Sequence, residues 1–169
     1  QIEKIMDLVF EKFDRYNIAI DGAAIFPGSS LARFSIMDRH YGVINHLSKT
    51  ASKSLHEEDK KLVHEKLNIK DKSLRILGGH EAFEIAGIPN TADFDKYWLE
   101  SPSTKIKSGF YVRPMAIAKE ETIVVNGFHP HQLAHYTASG RKLAVLLISS
   151  DTSWKEIREE MLGDVFPEK

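Results

Sequence analysis

Three histidines in "GFHPHQLAHY", His129, His131 and His135, are spaced so that the last two share one face of a helix beginning near Pro130. Imidazoles in that arrangement, completed by a carboxylate, suit zinc or another borderline metal, and would make the chain a metal-dependent enzyme. The same spacing also serves as a polar helix surface. No glutamate follows in H-E-x-x-H fashion and no other ligand cluster is evident, so no metal site is expected. Arg33, Arg39, Arg113, Arg141 and Arg158 are candidates for phosphate, because the guanidinium fork matches phosphate oxygens. His40 and Tyr41, side by side, suit a lid over a base or ribose; otherwise they pack against the first helix. "LGGHEAFE" has the glycines of a phosphate loop but neither its spacing nor its lysine, and reads as a turn. Trp98 and Tyr97 read as core.

These side chains need a scaffold. Ile2, Ile5, Met6, Val9 and Phe13 recur at helical intervals, and "RYN" ends that helix. "IAIDGAAIF", Ile18 to Phe26, reads as a strand closed by "PGSS". "LARFSIMDRHYGVINHLSK" reads as helical, with Leu31, Phe34 and Met37 on one side. A charged amphipathic helix should follow, opened by a capping box at Ser54 and Glu57. The stretch from Leu77 to Gly109 alternates breakers with short apolar runs and predicts an irregular segment with one or two short helices. Phe110 to Phe128 is a hairpin candidate with Pro114 placing its first run at a sheet edge. "KLAVLLI", Lys142 to Ile148, suits a strand covered on both faces. The final helix has a capping box at Ser153 and Glu156, a stripe of Trp154, Ile157 and Met161, and a stop at Gly163.

Composition bounds the reading. A chain of 169 residues with 42% apolar and 28% charged residues fits one soluble globular domain. A net charge of -1 gives no reason to expect nucleic acid or a membrane surface as partner. The absence of cysteine removes disulfides, thiolate metal sites and cysteine nucleophiles. The first residues carry acids and lysines at helical spacing, unlike a signal peptide or membrane span, and a cytoplasmic location is the default expectation.

The order of the first helix, the strand with Gly22, "RHYGVINH", "HYTASGRKLAVLLI" and "REEMLGDVFP" resembles the nucleoside diphosphate kinase family, in two blocks covering Ile2 to His46 and Phe128 to Pro167. The resemblance implies a ferredoxin-like α/β sandwich: an antiparallel sheet with helices packed on it, here a single domain with a large insertion at about 49–126. It also implies a nucleotide held between a helical lid and a phosphate-binding floor, with Mg accompanying the nucleotide. On that basis Tyr41, His40, Phe128, His131 and Arg158 are the expected nucleotide-binding residues, and no catalytic residue is assigned. A homo-oligomer is the expected assembly.

Departures from the family are specific. Its first strand with a Lys-Pro-Asp loop, and its phosphate-accepting histidine in an Asn-x-x-His-Gly-Ser context, have no counterpart between Gln1 and Lys169; the family order would place them beyond those ends. Val165 stands at a threonine position, and the phosphate-binding arginine falls at Glu159 unless a one-residue shift makes it Arg158. The expectation is a divergent phosphotransferase-like protein with a degenerate or incomplete site, binding a nucleotide or other phosphorylated small molecule in the micromolar range at best and exchanging γ-phosphate poorly. The alternatives are a non-catalytic nucleotide-binding or interaction module, and a metal-dependent enzyme using His129, His131 and His135.

Overall fold

A computed structural model describes residues 2–163 of the chain. The protein is mixed α/β, about half helix, with a two-stranded antiparallel sheet and a four-stranded mixed sheet. Val165 and the turn ending at Pro167 lie outside the described residues, as does the side chain of Ile2. Among the described residues no helix is long and apolar enough to cross a membrane.

In chain order the first elements are α1 (Ile2–Arg15), β1 (Ile18–Pro27), α2 (Gly28–Arg33), α3 (Ile36–His40), α4 (Gly42–Ser54) and α5 (Glu57–Leu67). Then come β2 (Arg75–Gly78), α6 (Gly79–Ile85), α7 (Thr91–Leu99), β3 (Thr104–Lys107), β4 (Phe110–Ile117) and β5 (Glu120–Val125). The last are α8 (His129–Thr137), β6 (Lys142–Ser150) and α9 (Trp154–Glu156), which continues as a π-helical turn over Ile157–Met161. Two compact units divide the chain: Gln1–Phe26 with Leu143–Lys169, and Pro27–Lys142. The segment 49–126, expected as an insertion, falls wholly within the second.

In the first unit β1 and β6 pair in one antiparallel sheet, as the sequence leads one to expect. Phe13 and Tyr16 pack with Ile18, Ile148, Ile157 and Met161. Lys12 Nζ donates to the Met161 carbonyl at 2.6 Å, placing a cation at the end of the last helix. Ser153 accepts from the Glu156 amide at 3.2 Å, and Gly163, at φ 74°, ends the segment. Trp154 leaves the expected stripe and is 70% exposed. Nor is β6 covered on both faces, since Val145 and Leu147 are exposed. A strand alternates its side chains, so helices on one side of a ribbon bury one set and leave the other.

The second unit is built on the strand order β2-β5-β4-β3, with β5 parallel to β2 and antiparallel to β4. Helices cover both faces of β5, and alternation sorts its residues between them. Ile123 and Val125 join Ala51, Leu55 and Val63 on the α4–α5 side; Val124 joins Ala82, Phe94 and Trp98 on the α6–α7 side. The hairpin expected from sequence forms, through a two-residue turn at Ala118 and Lys119. Its first strand is interior to the sheet, contrary to the edge reading of Pro114. Yet β3 pairs with β4 no further than Val112, so the missing N–H of Pro114 falls where that neighbour has ended.

Three readings need correction. The stretch 31–49 is not one helix: Ser35, at φ 49°, breaks it, and Phe34 is 54% exposed. Ser54 ends α4 rather than opening α5, whose N-cap is His56. The region taken as irregular opens on the end of β2 and contains β3, each four residues long and too short to show a period.

Candidate functional site

Parallel pairing of β2 with β5 brings two carboxyl ends side by side, each running into a helix: Gly78–Gly79 into α6 and Asn126–Gly127–Phe128 into α8. In open α/β sheets that edge is where ligands gather. The two turns pack so closely that a Cβ on Gly79 would stand 2.5 Å from the Asn126 carbonyl oxygen, and one on Gly127 would lie 2.2 Å from the Trp98 ring. Asn126 fixes the junction. Fully buried at φ 51°, it accepts from the Tyr111 amide at 2.9 Å and donates to the carbonyls of Gly109 and Ile44 at 2.8 and 3.3 Å, and its own carbonyl accepts from Ser48 Oγ at 3.2 Å.

Each turn delivers a histidine. His80 Nε2 lies 3.2 Å from His129 Nδ1, with the rings edge to face at 5.3 Å. His129 is 1% exposed. Burial pushes its imidazole down to about 4, helped by His80 and by Lys49 and opposed by Asp38. His80 is lowered too, first by burial and then by Lys49. Both rings are therefore neutral near pH 7, one donating its N–H to the other's lone pair. Lys49, paired to Asp38 at 2.6 Å, supplies the neighbouring positive charge. The pair suits holding or passing a proton, and as neutral rings it does not itself attract anions.

Two turns along α8 from His129 stands a second group. Tyr41, between α3 and α4, lies beside Tyr136; burial, then Tyr136, raises its phenol. His40 meets the Tyr41 ring edge-on at 4.7 Å, and His135 meets Tyr136 at 6.0 Å. His131, facing Thr91 Oγ1 at 3.5 Å and lying 6.1 Å from the His135 ring, completes an aromatic and imidazole surface. Asp95 is raised by burial, against the pull of His131.

Of the residues expected at a nucleotide, His40 ends α3, Tyr41 links it to α4 and His131 lies on α8, and these three helices pack on one another. Phe128 is a partly buried wedge between Trp98 and Tyr111, at 6.3 and 6.1 Å, so its ring is spent on packing. Arg158 belongs to the first unit, where it lines a hollow of about 400 Å³ with Trp154, Lys155 and Glu159. Arg113 is buried and donates to the Tyr97 and Trp98 carbonyls, closing α7 rather than reaching for phosphate. The three histidines of the H-x-H-x3-H pattern do not converge, because His129 turns to His80; among the described residues no group of three or more potential ligands gathers.

His80 is the residue that sequence reasoning missed. Its signal was a short apolar run ending in glycine and then histidine, "RILGGH", echoed by "TIVVNGFH". No protein-family model matches the chain, and no match is found among curated proteins or solved structures.

Proposed function

We propose that the chain binds a nucleotide or another phosphorylated small molecule, as a divergent nucleoside diphosphate kinase-like protein of ferredoxin-like architecture with a weak or absent phosphotransfer activity. The observation that carries the reading is the meeting of Tyr41 with Tyr136, which joins the two blocks of family-like sequence in one aromatic surface. The antiparallel pairing of β1 with β6 also supports it. An aromatic surface of this kind takes a base face, and imidazole N–H groups at its rim take ribose or phosphate oxygens. Mg would accompany a di- or triphosphate rather than reside on the protein. Phe128, packed between Trp98 and Tyr111, weakens the case for a second stacking partner.

Calorimetry with ADP, GDP and their triphosphates, paired with a γ-phosphate exchange assay, tests this. The expected result is micromolar or weaker binding that Tyr41→Ala reduces about tenfold, the loss of one stacked base, with little exchange. Rapid exchange would sink the degenerate-site part, and no binding by any nucleotide would sink the whole reading.

A second reading, a non-catalytic interaction module, is favoured by the exposed apolar residues of the β1–β6 ribbon. Val145 and Leu147 share one face of β6 and are exposed, as is Ile25 on β1. Ile25 and Leu147 are 69% and 67% exposed.

A further inference from the structure

A cavity of about 780 Å³ lies among α4, α5 and β2, on residues that the reading above does not use. Its size is that of a small-molecule site. His64 lines it and is 8% exposed. The ring Nδ1 is 2.7 Å from the Lys60 carbonyl oxygen, which can only accept, so Nδ1 carries the proton. Nε2 is therefore a lone-pair acceptor in the neutral ring, and it is buried without a partner. Arg75 lines the same cavity. Its Nη2 reaches Thr122 Oγ1 at 3.2 Å and Glu120 at 3.4 Å, while its buried Nε–H has no partner. A buried polar atom left unpaired costs roughly 1–3 kcal/mol and is rare. Two of them, on residues of α5 and β2 that line the same cavity, call for something that enters.

The charges say what kind of molecule. Four cations line the cavity against two carboxylates. Lys60 and Lys61 are held by Glu57 and Glu65, at 2.7 and 3.8 Å; Lys72 forms no ion pair among the described residues. Ala51, Ile69, Leu74 and Ile76 supply the apolar part of the wall, beside the polar Ser52 and Asn68.

We propose that this cavity binds a small organic oxyanion, a phosphate or carboxylate on an apolar body, whose oxygen accepts from Arg75 Nε–H beside Lys72 and whose hydroxyl donates to His64 Nε2. Guanidinium and ammonium groups bind such oxygens through charge-assisted hydrogen bonds, and the aliphatic wall takes the body. The site is independent of the Tyr41 surface and stands or falls by different signals.

Nitrogen NMR of the Arg75 Nε–H and His64 ring in the full chain, with 4-hydroxyphenyl phosphate, 4-hydroxybenzoate or neutral 4-hydroxybenzyl alcohol titrated in, tests it. Saturable shifts of both signals by either anion are expected, and Lys72→Gln, an exposed change that leaves the fold intact, should weaken binding about three- to tenfold, one charge-assisted contact. Shifts with the hydroxyphenyl phosphate alone assign a phosphate, with the hydroxybenzoate alone a carboxylate, and with both the shared oxyanion chemistry. The proposal is overturned if neither anion binds, if the alcohol binds as tightly as the anions, or if binding leaves the Arg75 and His64 signals unmoved.

Discussion

His129 is held neutral inside the protein, and this ties its stability to acid. The unfolded chain takes up a proton near 6.5 and the folded one near 4, so stability should fall as pH drops through that interval and level off on this account below it. The full loss is on the order of 3 kcal/mol. Urea melts between pH 7 and pH 4.5 check it: His129→Leu should flatten the profile while lowering stability at neutral pH, and an unchanged slope would reject the assignment. Asn126 is the other residue whose single side chain decides much. Asn126→Ala removes the partners of three partly buried backbone groups and keeps an unfavourable positive φ, at an expected cost of about 3 kcal/mol. Equilibrium unfolding measures it, and a loss under 1 kcal/mol would mean that water replaces the amide.

Among the elements, the β4–β5 hairpin carries a correctable strain. Ala118 and Lys119 both have positive φ, 52° and 69°, the backbone of a primed turn that asparagine and glycine adopt more readily. Replacing them by Asn-Gly should raise stability by about 1–2 kcal/mol, read as a shift in the midpoint of chemical unfolding without a change in slope. Gly79→Ala should do the reverse and destabilise by several kcal/mol, because its Cβ would meet backbone at 2.5 Å. Gly87→Ala, at φ 68° in open space, should cost about 1 kcal/mol. Long periodic elements were legible in the sequence: α1, the hairpin, β6 and the capped end at Ser153. The rest was hidden for physical reasons. β2 is too short to carry a period, and its partner β5 lies far along the chain. The His80–His129 contact depends on that non-local pairing, whereas the H-x-H-x3-H pattern is local and drew attention to the wrong neighbours.

For the molecule as a whole, the apolar side of the β1–β6 ribbon is the feature most exposed to test. If that side joins copies of the chain, sedimentation should show concentration-dependent association that Leu147→Lys weakens at least about tenfold, an apolar contact replaced by a charge; a monomer at all concentrations would remove the homo-oligomer expectation. The order of the larger sheet has another consequence, for how the chain assembles. β5 finds β4 across a two-residue turn, an event of microseconds, but meets β2 only across a separation of 47 residues. Loop closure of that length must precede any reward, so parallel pairing should be the late step. Pulsed amide exchange during refolding should find the Thr122 and Val124 amides, which face β4, protected before those of Ile123 and Val125, which face β2. Until β2 docks, one side of β5, whose Thr122 to Val125 run is fully buried in the folded protein, stands open, a template for any other extended chain nearby.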